Sequence, residues 1–388
     1  MRNTAAEAVA ASGPSPAIRA EEAALIARLI DTAPLPRDEA LGVLRRELGA
    51  VQARVQQAFE SRETHGLGAA RRLSGHMDAI ILAIHAYAEA MIPRSPGARE
   101  EAFALVATGG YGRGVLAPYS DIDLLFLTGT QVGARTERLV EFMLYLLWDL
   151  GLKVGHATRS VKDCLVHARR DVTIQTALVD SRFMAGDGRA FNKFSAEFGK
   201  MRATDGLGPF LAAKRAERAT RHARYGETPF MVEPHIKEGR GGLRDLQTLY
   251  WLARHAFGAL KMPDLVGPES PGGGLLVEGE ARAIRRAWDF LWTVRFHLHY
   301  VTGRAEERLT FDLQPVVAAR MGYARHGAQN GAERFMKHLF LNSRDVVRLS
   351  RVLEPAIERA ALGPPAIRRE GDESLEELSL IHISEPTR

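Results

Sequence analysis

The sequence has a single cysteine, Cys164, among its 388 residues. One thiol excludes an intramolecular disulfide framework and a cysteine-based metal centre, and it fits a reducing cytosol. The chain also lacks an apolar run long enough to span a bilayer, and its N-terminus lacks the basic-then-apolar pattern of a secretory signal. These absences predict a cytoplasmic protein with no membrane segment and no membrane partner.

A strong excess of one charge is also missing. The chain carries 52 basic and 47 acidic side chains, and its formal net charge is +5. Such a mild excess suits an anionic small-molecule substrate but gives no reason to expect nucleic acid as a partner. At this length the chain can form two or three domains, each with a core of its own.

Glycine is concentrated in one segment, residues 108–123, which reads TGGYGRGVLAPYSDID. A short apolar strand is predicted before it, from Phe103 to Ala107, and a second strand follows from Ile122 to Leu127. Asp121 and Asp123 stand at the start of this second strand. Because side chains two positions apart on a strand point to the same face, both carboxylates are expected to converge on one spot.

This segment predicts nucleotidyl transfer. Glycine has no side chain, so the N–H groups of Gly109 and Gly110 can approach a triphosphate closely, and paired carboxylates are hard ligands for Mg²⁺. In such a reaction an oxygen attacks the α-phosphorus and displaces pyrophosphate while metal ions neutralise the oxygens. The pattern resembles that of polymerase-β-like nucleotidyltransferases. The alternative is a structural tight turn followed by solvated aspartates.

Two polar residues of the glycine segment have two interpretations each. For Ser120, the interpretations are a hydroxyl contact to the nucleotide and a cap on the turn. For Arg113, they are a contact to phosphate and a surface position in the loop. The third acid that superfamily members commonly carry on a later strand is missing here. His156 lies on that strand. Its possible roles are a contact to the nucleotide, a general base, or a histidine packed in the core. Asp180 is another candidate acid, in a segment that looks helical.

A second glycine-containing stretch, residues 233–247, reads EPHIKEGRGGLRDLQ. It places Lys237 and Arg244 around a glycine pair at a predicted helix start, where anions are attracted. Both are therefore candidate nucleotide-binding residues. The alternative is an interdomain turn in which Asp245 forms an internal salt bridge.

Hydrophobic periodicity predicts an α+β protein with a small mixed sheet, flanked by N-terminal helices and a C-terminal helical domain. Between the flanking regions we expect a helix from Glu137 to Leu150, a strand from Leu152 to Arg159 and a helical segment from Thr173 to Met184. The expected divisions are an N-terminal helical region (1–95), a nucleotidyltransferase domain (96–200), a helical domain completing the nucleotide cleft (201–370) and an adapter-derived tail (378–388).

Other basic and aromatic side chains are given structural roles. We interpret the basic residues of two helical stretches as solvated faces rather than nucleic-acid tracks: Arg221, His222, Arg224, Arg282, Arg285, Arg286 and Arg295. The four tryptophans are most simply core residues: Trp148, Trp251, Trp288 and Trp292. None of these residues is therefore assigned to the site.

Four motifs, in this order, resemble the bifunctional uridylyltransferase/uridylyl-removing enzymes of PII nitrogen signalling. They are LVATGGYGRGVLAPYSDIDLL from Leu105, LWDLGLKVGH from Leu147, HIKEGRGGLRD from His235 and LTFDLQ from Leu309. The resemblance covers about residues 20–370. Glutamine synthetase adenylyltransferases are similar in the glycine turn and in Lys-x-x-x-Gly-Gly-x-Arg-Asp, but Gly-Tyr-Gly-Arg-Gly and Val-Gly-His favour the uridylyltransferases.

The resemblance implies transfer of UMP from UTP to a tyrosine of the PII signalling protein, with Mg²⁺ or Mn²⁺ and release of pyrophosphate. Gly109 and Gly110 would lie at the UTP phosphates, and Asp121 and Asp123 would bind the metal. Val115 departs from the pattern, since the family tends to have an acid after Gly-Arg-Gly. The alternatives are a protein adenylyltransferase of the same architecture and a non-catalytic nucleotide-binding regulatory fragment.

Members of this family continue into an HD-type phosphohydrolase domain and two ACT domains. This chain has no His-Asp dipeptide, so the resemblance implies neither uridylyl removal nor glutamine control for it. Residues 378–388, LSLIHISEPTR, resemble the translation of a sequencing-library adapter, which favours a truncated fragment.

Overall fold

The computed structural model describes residues 16–94, 101–258, 265–266 and 274–363. Three helices come first: α1 (Pro16–Leu29), α2 (Arg37–Glu60) and α3 (Gly66–Met91). The sheet region follows, with β1 (Phe103–Ala107), α4 (Gly109–Gly112), β2 (Ile122–Thr128), α5 (Ala134–Asp149), β3 (Val154–Ser160), α6 (Val161–Arg170), α7 (Val172–Val179) and β4 (Arg182–Gly186). The remaining helices are α8 (Gly188–Asp205), α9 (Leu207–Tyr225), α10 (Leu243–Phe257), α11 (Glu278–Thr302), α12 (Leu313–Arg320) and α13 (Gly331–Leu362).

The sheet contains four strands in the order β3-β2-β1-β4. Strand β1 runs antiparallel to both β2 and β4, whereas β2 and β3 run parallel. Helix α5 connects β2 to β3, as a parallel crossover requires. The described residues thus form a small mixed sheet with helices on either side in sequence, and the prediction of an α+β fold is confirmed.

Most predicted elements of the sheet region are found close to their expected bounds. Strand β1 has the predicted ends, and α5 begins three residues before Glu137. The prediction of a helix from Thr173 to Met184 is wrong beyond Val179, where α7 ends. The next residues form β4, in which Phe183 pairs with Val106 of β1. Pairing with a distant strand overrides a local helical pattern here.

The N-terminal helices pack on both other parts of the molecule. The apolar positions of α3 recur at helical spacing and are buried, as predicted: Leu73, Met77, Ile80, Ile81 and Ile84. The first turn of α3 is held by α11, since Asp289 Oδ1 accepts the Leu67 N–H at 2.9 Å. On the other side Asp78 accepts two hydrogen bonds from Arg182 of β4, both at 2.9 Å. A buried bidentate pair of this kind fixes both position and orientation.

Several polar and aromatic residues are not where their spacing suggested. Arg221 and Arg295 are only 7% exposed and are not solvated helix faces, because each pairs with a buried carboxylate. Trp148 is 45% exposed and is not a core residue, whereas Trp251 and Trp292 are buried. Among the described helices, none combines the length and apolar character that crossing a bilayer requires.

Two buried histidines are expected to make the fold acid-sensitive. Burial lowers the pKa of His255 and of His297 to about 4. An unfolded histidine titrates near pH 6.5, so between about pH 6.5 and 4 the unfolded chain takes up protons that the folded chain does not. Their contribution to stability is therefore complete above about pH 6.5 and is lost as the pH falls through this window.

Urea unfolding across this pH window tests the expectation. The free energy of unfolding should fall by a few kcal/mol, and His255→Phe should flatten the slope. Phenylalanine keeps the ring that stacks on Phe210 at 4.5 Å between centroids, but it cannot be protonated. An unchanged slope in the variant would show that His255 does not contribute.

Candidate active site

A cleft of about 400 Å³ separates the sheet region from helices α9, α10 and α11. Its walls come from the glycine turn after β1, the start of β2, helix α7 and the three facing helices. Eight residues that the sequence predicted for the site line this cleft: Gly109, Gly110, Arg113, Ser120, Asp121, Asp123, Lys237 and Arg244. The structure therefore brings together two motifs that lie more than a hundred residues apart in the chain.

The glycine turn begins directly after β1 with a left-handed residue, Gly109, at φ +56°. Within the described part of the chain, the N–H groups of Gly109 and Gly110 donate no hydrogen bond to a protein acceptor. Gly112 packs against the backbone carbonyl of Asp180, where a Cβ would collide. The turn thus needs glycine for close packing, and it leaves two backbone donors available at the cleft.

Asp121 immediately precedes β2 and Asp123 is its second residue, and both line the cleft. Burial raises the pKa of Asp123, and the charge of Asp121 raises it further, against the opposing charges of Arg113 and Lys237. The charge of half-buried Asp123 is therefore held near the like charge of exposed Asp121.

The other acidic side chains of the cleft are neutralised. Arg113 pairs with Asp180, Lys214 pairs with Glu217 at 2.6 Å, and Arg295 pairs with Glu307 at 2.6 Å. Among the described residues, Asp121 and Asp123 have no basic partner within 4 Å. This difference identifies the aspartate pair as the place in the cleft where a cation would offset uncompensated charge.

Trp251 forms the opposite wall and organises several cations. Its ring centroid lies 4.6 Å from Lys214 Nζ and 5.3 Å from the guanidinium carbons of both Arg113 and Arg244. Its Nε1 donates a hydrogen bond to Asp180 Oδ2 at 2.7 Å. Trp251 is buried as predicted, but its position among three cations was not visible in the sequence.

Contacts within the protein bear on the two open interpretations in the glycine segment. Arg113 is not a surface arginine, because its side chain is 10% exposed and pairs with fully buried Asp180. Ser120 Oγ accepts the Ala117 N–H at 3.2 Å, so it caps the turn while also lining the cleft. Between them Tyr119 adopts φ +69°, a left-handed conformation that is uncommon outside glycine.

The second motif contributes both a structural and a cleft residue. Asp245 accepts hydrogen bonds from Arg221 at 2.6 Å and from the Gly241 N–H at 2.8 Å, so it forms the predicted internal salt bridge. Arg244 lines the cleft and pairs with Glu238 at 2.9 Å.

Lys237 lies in the same cleft wall as Arg244, near other basic side chains. Burial lowers its pKa, and the charges of Arg295 and Arg244 lower it further. A concentration of basic side chains in one partly buried wall favours an anionic ligand, which would offset their mutual repulsion.

The sequence was least informative about His156 and the missing third acid. His156 is exposed on β3, its ring lies 5.9 Å from that of Trp148, and it is absent from the cleft lining. It is therefore neither packed in the core nor placed to contact a nucleotide in the cleft. Asp180 does reach the cleft, but it is paired with Arg113. In the described ranges no group of three His, Cys, Asp or Glu side chains is placed to hold a metal.

Comparison with known proteins agrees with this arrangement. Residues 98–179 match the family model of the nucleotidyltransferase domain, and residues 209–353 match that of GlnD PII-uridylyltransferase. These two ranges supply the two sides of the cleft.

Similar curated proteins carry one name, bifunctional uridylyltransferase/uridylyl-removing enzyme. That of Gluconobacter oxydans is 52% identical over 331 residues, 83% of this chain and 34% of the relative. That of Azospirillum brasilense is 49% identical over 266 residues, 68% of this chain and 28% of the relative. That of Rhodospirillum rubrum is 44% identical over 324 residues, 83% of this chain and 34% of the relative.

The chain spans about a third of the length of these relatives. Identity at this level over most of the chain, with both family models in the same order, confirms the resemblance that the four motifs indicated. The chain belongs to the family of bifunctional uridylyltransferase/uridylyl-removing enzymes.

Proposed function

We propose that this chain is a metal-dependent uridylyltransferase that transfers UMP from UTP to a tyrosine hydroxyl of the PII protein and releases pyrophosphate. The observation that carries the proposal is the unpaired aspartate couple, Asp121 and Asp123, facing a basic wall across one cleft. The name of the relatives supports uridylyl transfer, and the description of the matched family model, PII-uridylyltransferase, supports PII as the acceptor. The same proposal places the protein in the cytoplasm, where UTP is available.

The residues present fit a divalent cation. Asp121 and Asp123 are hard oxygen ligands whose charges are uncompensated, and phosphate oxygens and water complete the coordination of Mg²⁺ (or Mn²⁺) at such sites. When bound, the cation would neutralise charge on the attacking and leaving oxygens. Two carboxylates are too few to complete the coordination of the metal with protein ligands alone. So small a number of protein ligands is typical of sites that bind the metal together with a nucleotide.

The chain's own residues position the triphosphate in this proposal. The free N–H groups of Gly109 and Gly110 donate to phosphate oxygens, and Lys237 and Arg244 offset phosphate charge from the opposite wall. Arg113, held by Asp180, approaches from the turn itself. The basic side chains of the wall also favour direct contact with the triphosphate over contact through water, since partly buried cations gain most from direct contact with an anion.

The proposed division of the chain follows from this cleft. The nucleotidyltransferase domain (96–200) supplies the aspartates and the glycine turn, and the helical domain (201–370) supplies most of the basic wall. Val115, where the resemblance led us to expect an acid, also lines the cleft. The metal-binding aspartates of the proposal do not depend on that position.

Incubation of the full chain with UTP, Mg²⁺ and purified PII tests the proposal. We expect PII to gain the mass of UMP, and we expect chelation of the metal with EDTA to stop the reaction because the anionic aspartates repel the phosphates when no cation lies between them. An ATP arm is the matched control for base choice. Transfer of AMP in place of UMP would identify an adenylyltransferase, and nucleotide binding with no transfer would identify a non-catalytic module.

A further inference from the structure

Gly155 of β3 lies directly beside Asp123 in the parallel pairing of β2 and β3. A Cβ built at Gly155 would stand 2.5 Å from Asp123 Oδ1 and 3.7 Å from Asp123 Cγ. Apart from the neighbours of Gly155 in the chain, no other described atom lies within 4 Å of that point. The carboxylate of Asp123 is therefore what occupies the space of the missing side chain.

Nothing in the backbone itself demands glycine at this position. Gly155 is not among the described glycines with positive φ, so alanine could adopt its conformation. Glycine inside a strand is destabilising relative to alanine, because it loses more conformational freedom on folding. An interior strand glycine commonly marks the close approach of another group, and here that group is the carboxylate.

A second glycine lies against the other oxygen of the same carboxylate. A Cβ built at Gly109 would stand 2.7 Å from Asp123 Oδ2. One glycine of the turn and one glycine of β3 thus leave room for Asp123, one at each oxygen. Gly109 also needs its left-handed φ for the turn, whereas Gly155 has only the carboxylate to account for it.

We propose that Gly155 is a positioning residue, whose missing side chain provides the room in which the Asp123 carboxylate points into the cleft. A side chain at position 155 displaces Oδ1 and turns the carboxylate away from the metal position. The role of the carboxylate itself rests on the proposed function.

The first test measures metal binding without catalysis. Mn²⁺ binding is followed by electron paramagnetic resonance in the full chain with a non-hydrolysable UTP analogue, for wild type, Gly155→Ala and Gly199→Ala. Gly199 has no neighbour within 4 Å of its Cβ position, so it is a matched control for the same chemical change. We expect a Kd for Mn²⁺ about tenfold or more higher for Gly155→Ala and unchanged for Gly199→Ala, the size of loss usual for groups that orient a ligand.

The second test is a cycle of melting temperatures that requires neither metal nor activity. Gly155→Ala is compared in the wild-type and Asp123→Ala backgrounds. Any loss of melting temperature that Gly155→Ala causes in the wild type should disappear in the Asp123→Ala background, where the space at position 155 is open. A variant that fails to fold on its own should therefore fold when Asp123 is truncated.

The outcomes separate the two proposals. A wild-type chain that binds no Mn²⁺ with nucleotide overturns the proposed function and the positioning role with it. A wild type that binds, together with a folded Gly155→Ala that binds equally well, overturns the positioning role alone. A folding defect that persists in the Asp123→Ala background does the same, because the glycine would then be required by something other than the carboxylate.

Discussion

Asp123→Asn is expected to lower the rate of UMP transfer by about a thousandfold or more while the melting temperature stays the same or rises. The amide keeps the shape of the side chain but loses the negative charge that the proposed metal ligand supplies. A loss of several kcal/mol of transition-state stabilisation corresponds to a rate effect of roughly this size. The substitution breaks no intramolecular hydrogen bond, since no described side chain or backbone group donates one to the Asp123 carboxylate.

Stability should not fall with activity, because the charge of Asp123 is a cost to the folded state. Burial and the charge of Asp121 both raise the pKa of Asp123, which means that its ionised form is disfavoured in the fold. Removing the charge removes that repulsion. Rates are measured as transfer of labelled UMP to PII, and melting temperatures by circular dichroism.

Asp31→Asn is the control, since Asp31 is exposed and remote from the cleft lining. It should behave as wild type in both measurements. Asp123→Asn that keeps wild-type transfer would contradict the assignment of the metal site. A large fall in melting temperature would instead show that Asp123 supports the fold.

Asp180→Asn is expected to lower the free energy of unfolding by about 3 kcal/mol, because it removes one partner of a buried ion pair. The Asp180 side chain is fully buried, and the Arg113 side chain is 10% exposed. Burial raises the pKa of Asp180, and the charge of Arg113 opposes that shift. Without the carboxylate, the guanidinium remains buried with an uncompensated charge.

Two further variants are compared in the urea unfolding experiment. Trp251→Phe removes the Nε1 donor to Asp180 and part of the ring that faces three cations, but it leaves the ion pair between Asp180 and Arg113 in place. Glu63→Gln breaks the exposed pair with Arg72 and should change the free energy of unfolding little. The Arg72 side chain is 48% exposed and the Glu63 side chain is 61% exposed. If Asp180→Asn proved as harmless as Glu63→Gln, the buried pair would not be what joins the turn to the end of α7.

Local patterns were sufficient for the half of the site near the glycine turn. The strand, the turn and the two aspartates lie within about twenty residues, so alternation and glycine content specify their geometry directly. The facing wall was only partly predictable. Lys237 and Arg244 stood out because glycines surround them, whereas Lys214 lies in an ordinary amphipathic helix with no local signal.

Long-range pairing accounts for what the sequence did not reveal. Trp251 and Asp180 are 71 residues apart in the chain, and neither spacing nor composition connects them. Arg295 was predicted to be solvated because its neighbours are basic, yet Glu307 supplies a partner after the helix ends. A buried charge is visible in a sequence only when its partner is known.

The pair between Asp78 and Arg182 determines which piece of the protein can be excised. The guanidinium carbon of Arg182 lies 5.4 Å from the ring centroid of Tyr111, within the glycine turn, while the guanidinium is held by a carboxylate of α3. A shortened version beginning at residue 96 would retain the arginine and lose its anchor. The smallest unit that keeps the turn in place therefore includes α3, although α3 contributes no residue to the cleft lining.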